Sequence, residues 1–291
     1  MTLQQIEDFV REKIDDPRGG NYVPEEIAVS PECASLNMYD APLIGVGSRG
    51  DEMWGKLREE GIIGPHFILP NEWLPEAVSV ISIFFPFTER VSKSCAGTPT
   101  WPSPEWLHSR IEGQEFIFAV TLALADELSR NGYPSLVPPK DARFKSARHP
   151  GSNPDMPGLS YTSAWSERHA AYVCGLGAFG LSKGLITKRG VAGRFGSVIT
   201  SLELPPTARE YSGVYDYCVM CGACVRACPA QAITIEGGKD HSICAPFVDE
   251  TKKKFKPRYG CGKCQAGMPC QSRAPGAGVS AFDTNSISNE Y

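Results

Sequence analysis

Cys218-Val-Met-Cys221-Gly-Ala-Cys224-Val-Arg-Ala-Cys228-Pro229 decides how the rest of the chain is read. Its spacing, C-x₂-C-x₂-C-x₃-C-P, is the bacterial run for [4Fe–4S] ligation. Cysteines spaced in this way wrap one cubane, because the same tight turns aim backbone N–H groups at anionic sulfurs. The proline then diverts the chain, so the fourth cysteine reaches a different cluster. Downstream lie Cys244, Cys261-Gly-Lys-Cys264 and Cys270, which places eight of the eleven cysteines in one segment. Eight ligands make two four-ligand sites. Cys218, Cys221, Cys224 and Cys270 belong to one, and Cys228, Cys244, Cys261 and Cys264 to the other. The second half departs from the usual C-x₂-C-x₃-C-P ending, since five residues separate Cys264 from Cys270.

Disulfides and zinc fit this segment less well. Disulfides suit a small secreted chain, and the N-terminal residues carry no hydrophobic signal region. Zinc sites are built from paired C-x₂-C knuckles rather than a three-cysteine run ending in C-P. Cys33, Cys95 and Cys174 have no metal-type spacing and read as free core thiols. The five histidines show no paired spacing.

A two-cluster, ferredoxin-like module needs only the last third of 291 residues, so the first two hundred must do something that a simple electron carrier does not. Net charge is −4 and the pI near 5.8, which gives no general pull toward nucleic acid and argues against it as a partner. No stretch reaches the ~18 apolar residues of a membrane span. A twin-arginine leader is also missing, so a cytoplasmic, reducing setting is expected.

Upstream of the cysteines, Leu3, Ile6, Phe9, Val10 and Ile14 predict an amphipathic helix over residues 3–14. Residues 40–50 read as loop, and a short helix over 52–60 stops at Gly61. Val78-Ser-Val-Ile-Ser-Ile-Phe-Phe85 is apolar and β-rich, as a strand covered on both faces should be, and Pro86 ends it. The longest helix spans 105–131, stopped by Gly132, with Ile117, Val120, Leu124 and Leu128 as its buried stripe. Residues 140–160 form a long loop without periodicity. A helix over 166–174 takes Ser166 as N-cap, and strands follow over 184–188 and 195–204. Pro205-Pro206 divides a cofactor-binding domain, residues 1–205, from a ferredoxin-like domain, 206–272. Residues 273–291 read as a flexible tail.

Gly175-Leu-Gly177-Ala-Phe-Gly180 matches G-x-G-x-x-G, but a dinucleotide fingerprint needs a strand before it and a helix after it. Here a helix precedes and a strand follows. The glycines suit a tight turn or the close approach of a flat cofactor instead. Ser166-Glu167-Arg168-His169-Ala170-Ala171, running into that turn and followed by Gly196-Ser197-Val198-Ile199-Thr200 and the cysteine run, resembles epoxyqueuosine reductases. Those are cobalamin-dependent iron–sulfur enzymes related to corrinoid reductive dehalogenases. The resemblance covers about residues 40–272 in order. It implies an α+β architecture, with a nitroreductase-like α/β domain holding cobalamin ahead of a two-cluster bacterial ferredoxin-like domain. Gly175, Gly177, Gly180 and Ser197 would then bind the cofactor, with flavin as the alternative for such a scaffold.

The resemblance also implies a catalytic acid. Where epoxyqueuosine reductases have a proton-donating aspartate before the Glu-Arg pair, this chain has Tyr161, within Ser160-Tyr-Thr-Ser-Ala-Trp-Ser. Reductive dehalogenases use a tyrosine, and a phenol with pKa near 10 stays protonated at neutral pH. The other reading of Tyr161 is an ordinary half-buried tyrosine. Lys183 and Arg194 would assist the phenol if they faced it, and otherwise read as surface charges. Lys252-Lys-Lys-Phe-Lys256-Pro-Arg258 reads as a solvated loop, or as a docking patch for an acidic ferredoxin or flavodoxin. The expected activity is reduction of a small electrophilic molecule by a corrinoid that two [4Fe–4S] clusters and a low-potential donor keep reduced. The alternative is an electron-transfer or reactivation protein for a corrinoid or flavin partner.

Overall fold

The computed structural model describes residues 1–277. Helix α1 (Leu3–Asp15) opens with a capping box between Thr2 and Gln5 and buries Ile6, Val10 and Ile14. Strand β1 (Leu43–Ser48), short helices α2 (Met53–Lys56) and α3 (Pro70–Trp73), and strand β2 (Ser79–Pro86) follow. Next come α4 (Glu89–Gly97), the long α5 (Pro104–Arg130), and two-residue strands β3 (Ser135–Leu136), β4 (Ser146–Ala147) and β5 (Thr162–Ser163). Helix α6 (Glu167–Val173) leads into β6 (Gly177–Phe179), β7 (Leu185–Thr187) and β8 (Gly193–Thr200). The cysteine-rich third holds α7 (Ala223–Arg226), β9 (Ile233–Thr234), β10 (Gly238–Lys239) and α8 (His241–Lys254).

The central sheet has the order β1-β2-β8-β3, with every neighbour antiparallel. Strand β2 is buried along its whole length because both faces are covered. Ile81, Ile83 and Phe85 pack with Val46, Val198 and the α5 stripe Ile117, Val120, Leu124 and Leu128. Each side chain so buried contributes roughly 1.5–3 kcal/mol. Val80 and Phe84 point the other way, into the clusters that include α6. On that face Gly45, Ser82 and Ser197 pair in one row across three strands. A Cβ on Gly45 would strike the Cys174 carbonyl, and one on Gly47 would meet Cys174 Sγ at 2.9 Å. The row of small residues is what lets the end of α6 lie directly on the sheet.

Several expected elements differ in extent. The helix expected over 52–60 is helical only over α2, where Gly55 weakens it. A helix nowhere expected, α8, is capped by Asp240, whose side chain accepts from Ser242 N–H. Its sequence hides it, since Pro246 interrupts the helical pattern. Lys252–Lys254 therefore form the last turn of a helix, where cations suit the negative end of the dipole, rather than a loop.

The cysteine-rich third is stitched to the sheet-bearing part. Arg258, 7% exposed, pairs with Glu112 of α5 at 2.7 Å and donates to the Ile27 carbonyl. Val191 and Ala192, just before β8, donate backbone N–H bonds to the carbonyls of Cys270 and Gln271. Of the expected tail, Ala274 packs against the cluster around Tyr217 and Gly276 N–H reaches the Tyr217 carbonyl, so the chain is held down at least that far. Residues 278–291 lie outside the described residues. No helix among the described residues is long and apolar enough to cross a membrane.

Candidate functional site

The eight cysteines lie close together in the last third of the fold. Cys228, Cys244, Cys261 and Cys264 line one cavity of about 260 Å³ between the cysteine-rich third and the end of the sheet. Burial pushes the Cys261 thiol up to about 12, with Cys264 and Cys244 among the neighbours raising it further. Burial likewise pushes Cys270 up to about 12, and Cys218, Cys224 and Cys221 act on it in that order. Cys224 feels Cys264 of the first-named set most strongly after its own burial, so the two sets adjoin. Crowded, desolvated thiols resist ionisation, and coordination to iron is what deprotonates them. Among the described residues no three His, Cys, Asp or Glu side chains converge to hold a single metal ion. Four thiols around a volume suit a cubane, whose ligands sit at separate corners, better than a lone ion.

The cavity has a strongly cationic wall. Arg110, Arg168 and Arg194 line it together with Lys239 and Lys263. Arg168 lines the cavity while remaining open to water, and desolvation by the surrounding protein lowers its pKa. Arg194 is brought down to about 10 by desolvation and by Arg110. Its charge is therefore not a surface one, contrary to the simpler expectation. Arg110 and Lys239 carry no pattern that a sequence reading could use.

Tyr161 does not itself line this cavity. It is 36% exposed, holds a left-handed φ of +52°, and stacks on His241 with centroids 4.9 Å apart. Its hydroxyl makes no hydrogen bond among the described residues. Desolvation first, then Lys239, Lys183 and Arg168, bring the stacked His241 down to about 4. Lys183 is thus near the phenol's partner, whereas Arg194 lies with Arg110 and Gln114.

The expected cofactor turn is spoken for. A Cβ on Gly177 would strike the Ile186 carbonyl, one on Gly175 would meet Thr207 at 3.0 Å, and one on Gly180 would meet Ile186 Cδ1 at 3.0 Å. Residues 177–187 form the β6–β7 hairpin, so the close approach made here is to the chain's own backbone. Ser197 is wholly buried and accepts from Trp165 Nε1 at 2.9 Å. The missing side chains of the three glycines are thus accounted for by the chain's own packing. Beside Ser197 sits Glu167, whose Oε2 is buried without a partner, as is Ser82 Oγ. Desolvation raises Glu167 to about 7, with Ser197 and Trp165 opposing it. Ser166 Oγ meets His169 Nδ1 at 2.7 Å, and so caps α6 by position but not by accepting a helical N–H.

This chemistry defines an iron–sulfur protein, and residues 213–234 match the family described as 4Fe-4S binding domain. Among curated relatives, a tetrachloroethene reductive dehalogenase of Desulfitobacterium hafniense is 37% identical over 111 residues, covering 35% of this chain and 20% of that one. The epoxyqueuosine reductase of Listeria monocytogenes serovar 1/2a is 29% identical over 124 residues, covering 39% and 32%. The chain thus matches about a fifth to a third of the length of these relatives. In fold it is similar to the catabolic reductive dehalogenase NpRdhA, with a TM-score of 0.51 and 17% identity over 84% of this chain and 33% of that one. A further neighbour, at TM-score 0.46 and 17% identity over 91% and 66%, is epoxyqueuosine reductase with an epoxyqueuosine-modified tRNA-Tyr stem loop. The resemblance seen in the sequence extends to both groups of named reductases.

Proposed function

We propose that this chain is a cytoplasmic reductase with two [4Fe–4S] clusters, one on Cys218, Cys221, Cys224 and Cys270 and the other on Cys228, Cys244, Cys261 and Cys264. The observation that carries the reading is the cavity where the second set meets the cationic end of the sheet. Exposed Cys221 gives electrons an outer entry, and adjoining Cys224 and Cys264 give them a path inward. Helix α8 carries both Cys244 and the exposed Lys252–Lys254, which suits docking of an acidic ferredoxin or flavodoxin beside a cluster. The first two hundred residues are taken as a nitroreductase-like holder of a corrinoid, with flavin as the alternative. When bound, a corrinoid supplies a nucleophilic, strongly reducing metal. The chain's own part is to exclude water and to deliver a proton, for which Tyr161 is the candidate.

The substrate in this reading is a small electrophile. The acidic total disfavours RNA, although one fold neighbour takes a tRNA stem loop. Anaerobic reconstitution tests the proposal. About eight irons and eight sulfides per chain are expected, and about four would remove the two-cluster model. Corrinoid and flavin add separate visible bands to the brown cluster absorbance. Tight clusters with affinity for neither cofactor would leave the electron-transfer alternative in place.

A further inference from the structure

Charge is unevenly shared between the two cysteine sets. Arg110, Arg168, Arg194, Lys239 and Lys263 line the cavity of the Cys228 set, and among the described residues no Asp or Glu does. Lys239 Nζ donates toward Cys264 Sγ at 3.6 Å, and the Ala232 backbone N–H donates to Cys228 Sγ at 3.3 Å. Cys264 acts on Arg168, Cys264 and Cys244 act on Lys239, and Lys239 and Arg148 act on Cys244. The Cys218 set has different company. After burial, the groups acting most on Cys224 and Cys270 are other thiols. Arg226 donates to the Cys221 carbonyl at 3.3 Å, but from an exposed position where water screens it. Among the described residues no N–H of another residue reaches the sulfurs of this set.

Four thiolates outweigh the charge of a cubane core, so one-electron reduction adds negative charge to a site that is already negative. No bond breaks and no proton is needed. Cluster potential follows net charge, hydrogen bonds to the sulfurs and exposure. Nearby cations and N–H donors make the added electron easier to hold. At the effective dielectric of a protein two charges interact about four times more strongly than in bulk water. Exposure alone favours the Cys218 set, because Cys221 is exposed. Five cations with no carboxylate among them are more than one exposed sulfur offsets.

We propose that Arg110, Arg168, Arg194, Lys239 and Lys263 set the cluster on Cys228, Cys244, Cys261 and Cys264 at a higher reduction potential than the cluster on Cys218, Cys221, Cys224 and Cys270. This rests on the two-cluster reading and gives its electron path a direction. An electron delivered at Cys221 by a low-potential, one-electron carrier comes to rest at the inner site. The outer site is reoxidised as the inner one is reduced, one electron for one. The five cations act through the cluster they surround and touch no substrate.

The test uses the anaerobically reconstituted full chain and reads midpoint potentials by electron paramagnetic resonance, not turnover. Wild type is titrated beside Cys221→Ser, Arg168→Gln, Arg168→Lys and Lys239→Gln, with iron content recorded for each. Two reduction steps are expected in wild type, and Cys221→Ser, which empties the outer site, keeps the one at higher potential. Arg168→Gln and Lys239→Gln are each expected to lower that step. The oxidised-to-reduced ratio at a fixed potential then rises at least tenfold, about 59 mV for one electron. The lower step does not move, and Arg168→Lys holds near the wild-type value. Loss of the higher step in Cys221→Ser, or potentials unchanged in both glutamine variants, overturns the proposal. Should one glutamine variant shed iron, the other gives the reading. Shedding by both also overturns it, because the cations would then hold the cluster in place rather than tune it. Failure of the two-cluster reading shows separately, as wild-type protein with about four irons and a single step.

Discussion

At the scale of single residues, Glu167 and Tyr161 make opposite demands. Glu167 is held to about 7 against an ordinary 4.5, chiefly by burial. Above pH 4.5 the unfolded chain gains by ionising while the folded one does not, so stability is fully present below that value and falls as pH rises toward 7. The loss is on the order of 2 kcal/mol. Thermal melts of the holoprotein at pH 5 and pH 8 should differ accordingly, and Glu167→Gln should flatten the difference. A wild-type melting temperature independent of pH across that window would contradict the assignment. Tyr161→Phe, by contrast, removes a hydroxyl that bonds to nothing described and keeps the stack on His241. Stability and iron content should not move. If Tyr161 is the acid, turnover of an accepted organohalide or epoxide falls by roughly 10² to 10⁴; unchanged turnover removes it from the chemistry.

Elements explain what sequence reading reached and what it missed. The α5 stripe and the doubly covered β2 were legible because burial imposes periods of 3.6 and a continuous apolar run. The 4Fe-4S binding run was legible because a cubane constrains spacing. Strand β7 was expected over 184–188, but its partner β6 was not, since Gly177 has the same letter whether it faces a cofactor or the Ile186 carbonyl. Nor was the arginine wall, because Arg110, Arg168 and Arg194 lie far apart in sequence and share no motif. The hairpin yields a direct prediction. Gly177→Val should break β6–β7 pairing and cost about 3 kcal/mol or more, seen as a lowered melting temperature. A variant of normal stability would return the glycine to a role at the surface of a cofactor. Helix α7 and its flanking turns give another: Cys221→Ser should take reconstituted iron from about eight to about four, with the Cys228 set still loaded.

For the whole molecule, metal and fold divide unequally. The sheet, α5 and α6 supply most of the apolar core, whereas the cysteine-rich third contributes few buried apolar side chains, among them Tyr211, Tyr217 and Ala266. Iron binding is therefore folding energy for residues 206–277 more than for residues 1–205. Anaerobic chelation should strip amide protection from the former while β2, β8 and α5 stay protected in hydrogen exchange. Uniform loss of protection would mean that the two parts fold as one unit. The Arg258–Glu112 pair bears on the same division. Desolvation would raise Glu112, but hydrogen bonds from His108 and Arg258 outweigh it and hold it below its usual range, so this staple weakens as acid protonates the carboxyl.

The backbone bonds from Val191 and Ala192 to Cys270 and Gln271 reach beyond the finished molecule into its synthesis. The segment bearing the eighth cysteine leaves the ribosome after every other ligand, and its docking strip before β8 is already made by then. On the proposed ligand assignment, a nascent chain halted short of Cys270 would own a complete sheet and a metal set lacking one of its four thiols. In the proposed ligand set, loading of that cluster thus reports that translation has passed residue 270.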